Sequence, residues 1–167
     1  MNMKSDNMHN KDLGYAAEKV ARKYYENKGW SLLAENETAR GSELDLVMEK
    51  SGKSFVDIDS KSLDITTKNK ERGGVDVSRE ILFVEVKSAA VDINGRFGYD
   101  NIRPEDNFTK SKQKYFKRGI ELYLTKNKLN NITNLRIRID LACVYCHTSR
   151  SEDKKWTIKT YENIILD

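Results

Sequence analysis

Residues 81–90 read ILFVEVKSAA, and two charges interrupt what otherwise has the composition of a buried strand. Ile81, Leu82, Phe83, Val84 and Val86 supply the β-branched and aromatic content that favours a strand, with no Gly or Pro to break it. A period of two puts Ile81, Phe83, Glu85 and Lys87 on one face and Leu82, Val84 and Val86 on the other. The two charges therefore share a side.

Toward the N-terminus, ELDLVMEK (43–50) alternates in the same way. Leu44, Leu46 and Met48 fall on one face, and Glu43, Asp45, Val47 and Glu49 on the other. SLLAENET (31–38) reads as a strand before it, separated by residues 39–42. Still earlier, Leu13, Ala17, Val20, Ala21 and Tyr24 follow helical spacing, and Gly29 stands where a C-terminal stop belongs, so an amphipathic helix is expected over 13–28. Residues 51–80 differ in texture, with few large apolar side chains, a Gly73-Gly74 pair and the polar run KNKER. They read as an insertion, an excursion from the core that would form an extended hairpin or flap beside the cleft.

After ILFVEVK comes a loop rich in Gly and Asn (92–103), then a helix from Pro104 or Thr109 to Thr125 whose core stripe is Phe116, Ile120, Tyr123 and Leu124. Lys110, Lys112, Lys114, Lys117 and Arg118 crowd its first half, where positive charge opposes the helix dipole, so helix stability does not account for them. A solvated face and a phosphate-facing surface both fit. Residues 136–145 and 155–161 read as closing strands. The order is helix, strands, helix, strands, with no repeat.

At 167 residues the chain holds one core of ordinary size, and a single domain over 1–167 is expected. Its 30 Lys and Arg against 26 Asp and Glu leave a formal charge of +4, which permits a nucleic-acid partner without demanding one. No run approaches the roughly 18 apolar residues of a membrane span, and the start MNMKSDNMHNKDLG is too polar for a secretory signal, so a cytoplasmic protein is expected, with no membrane partner. Cys143 and Cys146 sit in CVYCH, which matches the c-type haem pattern formally. An alternating strand would point the two thiols to opposite faces, and only His9 and His147 could complete four zinc ligands, so neither haem nor zinc is expected there.

If the strand of Glu43 and Asp45 pairs with that of Glu85 and Lys87, three carboxylates and one ammonium meet on one surface. Their repulsion must be relieved by Lys87 or by a bound cation. Hard oxygen ligands with incomplete coordination suit Mg²⁺ or Mn²⁺, which keep waters and take further ligands from substrate phosphate. Such a site can cut phosphodiesters. A cross-strand salt bridge to Lys87 is the plainer alternative.

The combined order resembles the YraN-like family of predicted endonucleases within the PD-(D/E)XK nuclease superfamily, to which junction resolvases belong. Gly14 and Glu18 match a glycine and a Glu of the family's first helix, with Ala17 in place of a second glycine. Arg40-Gly41-Ser42-Glu43-Leu44-Asp45-Leu46-Val47 is similar to R-G-G-E-I-D-L-I, and F-V-E-V-K stands intact as Phe83 to Lys87. Lys112-Gln113 and Leu122-Tyr123-Leu124 match K-Q and L-Y-L; Arg138-Ile139-Asp140-Leu141 is similar to R-F-D-V, and Glu162-Asn163 to a closing E-N.

The resemblance implies an α/β restriction-endonuclease-like core, a mixed central sheet flanked by helices. In it Asp45, Glu85 and the Val86 carbonyl hold Mg²⁺ or Mn²⁺, Lys87 serves the attacking water, and Glu18 and Gln113 line the site. The implied activity is metal-dependent endonucleolytic hydrolysis of DNA, branched or flapped DNA included, with DNA favoured over RNA and a homodimer compatible. A non-catalytic nucleic-acid-binding module and a nuclease toxin or restriction component are the alternatives. Locally, Glu18 also stands four residues before Arg22, the spacing of a helix ion pair, and Asp140 reads as structural, paired with Arg138 or Arg136. One departure from the family is that Asp45 and Glu85 lie 40 positions apart. At nearly the family's spacing stands SFVDIDSK, with Asp57 and Asp59 but no Lys at the third position; chemistry favours Glu85 and Lys87, spacing favours Asp57.

Overall fold

A computed structural model describes residues 3–53, 77–92, 94–97, 102–147 and 155–166, with the side chains of 3–10, 52, 53, 77 and 78 outside the description. A mixed five-stranded sheet, β1 (Ser31–Ala39), β2 (Ser42–Lys53), β3 (Val77–Val91), β4 (Leu135–His147) and β5 (Lys155–Tyr161), runs in chain order between two helices, α1 (Met3–Asn27) and α2 (Lys110–Lys126). Neighbouring strands are antiparallel except β3 and β4, which run parallel. This α/β arrangement is consistent with a restriction-endonuclease-like core.

Each helix covers one face. Ala17, Ala21 and Tyr25 of α1 pack on Leu46, Met48, Leu82, Val84, Val86, Ala142 and Val144. Phe116, Ile120, Tyr123 and Leu124 of α2 pack on Leu44, Val47, Ile81, Phe83, Leu141 and Cys143. The expected stripe of α2 is thus its buried face, and the expected alternation of 81–86 holds. Close approach between α2 and β2 depends on Gly119, where a Cβ would meet Leu44 Cδ2 at 3.0 Å and the Ser42 Cβ at 3.3 Å.

Boundaries differ from the sequence reading in three places. Helix α1 begins ten residues before Leu13, because its polar first turns carry no apolar stripe to reveal them. Helix α2 is capped by the Thr109 side chain, which accepts from Lys112 N, and Pro104–Asn107 forms a separate 3-10 turn. The 51–80 insertion is narrower than expected, since β2 and β3 pair without interruption from Leu46↔Val84 to Lys53↔Val77. This ladder leads away from Leu46 for seven residues, about 24 Å at the rise of a strand, so its Lys53↔Val77 end lies far from Glu85. Residues 54–76, with Asp57 and Asp59, lie outside the described residues.

Beside the candidate site, the alternation expected for 43–50 fails. Leu44 faces α2, whereas Leu46 and Met48 face α1. The neighbouring strand does the same: Glu35 pairs with Arg22 of α1, and Glu37 with Lys126 of α2. Cross-strand partners are Glu35↔Leu46 and Glu37↔Leu44, so both strands exchange faces along one line, at Asn36 and Asp45.

Candidate active site

Past Leu46↔Val84 the strands β2 and β3 part, and from Glu85 to Val91 β3 is held in the sheet by β4. Asp45 stands at this fork. Its Oδ2 accepts the Val86 N–H at 2.7 Å, replacing the strand carbonyl that β2 no longer offers. Glu85 and Lys87, on the α2 face of β3, project just beyond, and the Lys87 ammonium donates to the Glu85 carboxylate and, at 3.2 Å, to the Val86 carbonyl.

The electrostatics follow from burial. Glu85 is only 8% exposed; desolvation first, then the Asp45 charge, pushes its carboxyl up to about 7 against the pull of Lys87 and Lys112. Desolvation also raises Asp45, with Glu43 adding to it, and the Val86 N–H and Lys87 oppose the rise. Glu18, on α1, is raised by burial and by the charges of Asp45, Glu43 and Glu35, and the Asn36 side chain offsets part of this. Five carboxylates, those of Glu85, Asp45, Glu43, Glu18 and Glu35, are thus linked by repulsion around the fork. Arg22, expected to pair with Glu18, instead pairs with Glu26 at 2.8 Å and Glu35 at 3.1 Å.

Gln113 bonds to the backbone just before α2. Its Nε2 donates to the Phe108 carbonyl at 3.0 Å, and the side chain lines a hollow with Glu105, Leu141, Tyr161 and Ile164. Lys112, assigned from the sequence to the nucleic-acid surface, is the α2 residue whose charge reaches Glu85. Lys110, Lys114, Lys117 and Arg118 are exposed along the same helix. Asn36, at φ +50 beside Asp45 and Glu18, is a neighbour that sequence reasoning missed; asparagine's tolerance of positive φ was the available signal.

Asp140 is structural, as expected. Fully buried, it accepts two bonds from Arg138 at 2.8 Å, one from the Tyr25 hydroxyl and one from Asn163 N, both at 2.9 Å. Among the described residues no three His, Cys, Asp or Glu side chains converge into a metal cage, CVYCH included. What the fork offers is an open oxygen set, the two carboxylates and the Val86 carbonyl, and the Lys87 ammonium already lies against two of its members as a cation would. That donor chemistry fits a hard cation that keeps most of its waters, Mg²⁺ or Mn²⁺.

No helix among the described residues is long and apolar enough to cross a membrane. A family model described as "Uncharacterised protein family UPF0102" matches residues 17–144, well over half of the chain and inclusive of the whole fork. No curated protein matches it.

Proposed function

The chain belongs to this family, the YraN family UPF0102, and from the fork's geometry we propose that it is a metal-dependent endonuclease hydrolysing phosphodiester bonds in DNA. The observation that carries the reading is the Asp45 carboxylate bonded to Val86 N–H next to the raised carboxyl of Glu85, with Lys87 on the same strand. Stability alone gives no reason to bury two repelling carboxylates at a strand end.

Asp45, Glu85 and the Val86 carbonyl would hold Mg²⁺ or Mn²⁺, which when bound stabilises charge on the transferring phosphoryl group and acidifies water. Lys87 has three donors, of which Glu85 and Val86 take two. The third orients the attacking water. Glu18 and Glu43 keep the approach acidic from the α1 side and accept hydrogen bonds from hydrated cations. Lys112 neutralises part of the incoming phosphate beside Glu85, and Lys110, Lys114, Lys117 and Arg118 hold the backbone farther along.

The test is cleavage of labelled linear, single-stranded, flapped and four-way DNA, with RNA counterparts, in Mg²⁺ or Mn²⁺. Glu85→Gln and Lys87→Ala are each expected to lower the rate about 10²–10⁴-fold with little change in affinity, and Asp57→Asn to leave it within a few-fold. Cleavage unaffected at Glu85 and lost at Asp57 would move the active site to SFVDIDSK. Binding without cleavage in any metal would leave a binding module.

A further inference from the structure

Five non-glycine residues have positive φ among those described: Asn36, Arg40, Lys128, Asn134 and Asn163. Arg40 and Gly41, at +46° and +78°, form the two-residue turn between β1 and β2, which requires that conformation. Lys128, Asn134 and Asn163 lie outside the strands. Asn36 alone of the five sits inside a strand, between the paired residues Glu35 and Glu37.

Its place coincides with the line where both strands exchange faces. A left-handed residue turns the backbone of β1, so Glu37 points to α2 while Glu35 points to α1. Strand β2 stays in register with it, Leu44 opposite Glu37 and Leu46 opposite Glu35, and must turn at the same point. The residue at that point is Asp45. A regular strand would send its side chain to the α2 face alongside Val47; the turn lets it reach sideways across the fork to Val86 N. The Asn36 side chain meanwhile approaches Glu18 and favours its charged form.

We infer that Asn36 is a positioning residue: its left-handed backbone aims Asp45 at Val86. The consequence for cleavage rests on the nuclease reading; the geometry does not. Few residues suit the position, since asparagine, aspartate and glycine are the ones that adopt positive φ readily.

The experiment compares amide hydrogen exchange of Val86, with Val84 as internal control, in wild type, Asn36→Ala, Asn36→Gly and Asp45→Ala, alongside Mn²⁺ titration calorimetry and cleavage. Asn36→Ala is expected to speed Val86 exchange at least tenfold, toward the Asp45→Ala value, with Val84 unchanged, and to weaken Mn²⁺ binding. Asn36→Gly keeps the backbone and is expected to leave Val86 within about threefold of wild type. Wild-type Val86 protection in Asn36→Ala would overturn the inference. So would its loss in Asn36→Gly, which decides the matter even if the alanine variant fails to fold. If Val86 follows the expected ranking and wild type cuts nothing, the positioning stands and the nuclease reading falls.

Discussion

Asp45 takes the Val86 N–H at 2.7 Å just past Leu46↔Val84, where β2 and β3 cease to pair. A single side chain thus closes the sheet where its ladder stops and presents a carboxylate there. Asp45→Asn keeps an acceptor for Val86 and removes the charge that raises Glu85. The variant is expected to be no less stable than wild type without metal, and to lose Mn²⁺ binding by calorimetry. Asp45→Ala, which leaves the N–H without a partner, is expected to be about 1–3 kcal/mol less stable than Asp45→Asn in urea denaturation.

Glu85 gives a pH dependence of defined sign. Its folded value of about 7 exceeds the ordinary 4.5, so between these values the folded chain holds a proton that the unfolded chain has released. Stability without metal should therefore fall as pH rises from about 4.5 to just above 7, by on the order of 3 kcal/mol, and then level off. Urea midpoints across this range should show the slope in wild type and a much flatter one in Glu85→Gln. Mg²⁺ should restore stability at pH 8, because it binds the carboxylate form.

Asp140 joins α1, β4 and the segment after β5 through Tyr25, Arg138 and Asn163. Asp140→Ala removes the acceptor shared by Tyr25, Arg138 and Asn163, leaving Arg138 only Glu162 as an ion-pair partner, and is expected to cost about 3–5 kcal/mol. Tyr25→Phe removes one bond to a charged acceptor and should cost about 1.5–3 kcal/mol. Denaturant midpoints measure both.

On the proposed nuclease reading, the cations of α2 make DNA binding salt-dependent. Reversing Lys114 and Lys117 to Glu is expected to weaken DNA binding and to flatten the log–log salt slope by roughly 0.9 for each phosphate left without its cation. Fluorescence anisotropy on a duplex over 50–200 mM salt reads this out; an unchanged slope would make the helix a solvated face.

Much of the framework was legible because long alternating or helical stretches follow one period from end to end. Phe116 to Leu124 and residues 81–87 are of this kind, and 155–161 was bounded correctly from its pattern alone. The same logic misplaced Leu44 beside Leu46, since a period of two assumes an unbroken ladder, and one left-handed residue on the neighbouring strand breaks it. Tyr25 and Asp140 lie 115 positions apart, so no local pattern joins them. Around the fork, the residue types of Asp45, Glu85 and Lys87 are what pointed to a candidate site. That the charge of Lys112 is felt at Glu85 follows from the helical phase at the start of α2, which depends on where the Thr109 cap starts the helix.

The parallel pairing of β3 with β4 also sets when this site comes into being during synthesis. Beyond Val84, β3 loses β2, and its ladder partners are Leu141 through His147 of β4. Asp45, Glu85 and Lys87 are thus all translated well before the strand that holds them in the sheet. At roughly 5–20 residues per second, the 60 residues from Lys87 to His147 take some 3–12 s on the ribosome. Closing so distant a pair is also the slow kind of step in folding. A nascent chain stopped short of β4 carries the charged groups of the fork without their geometry.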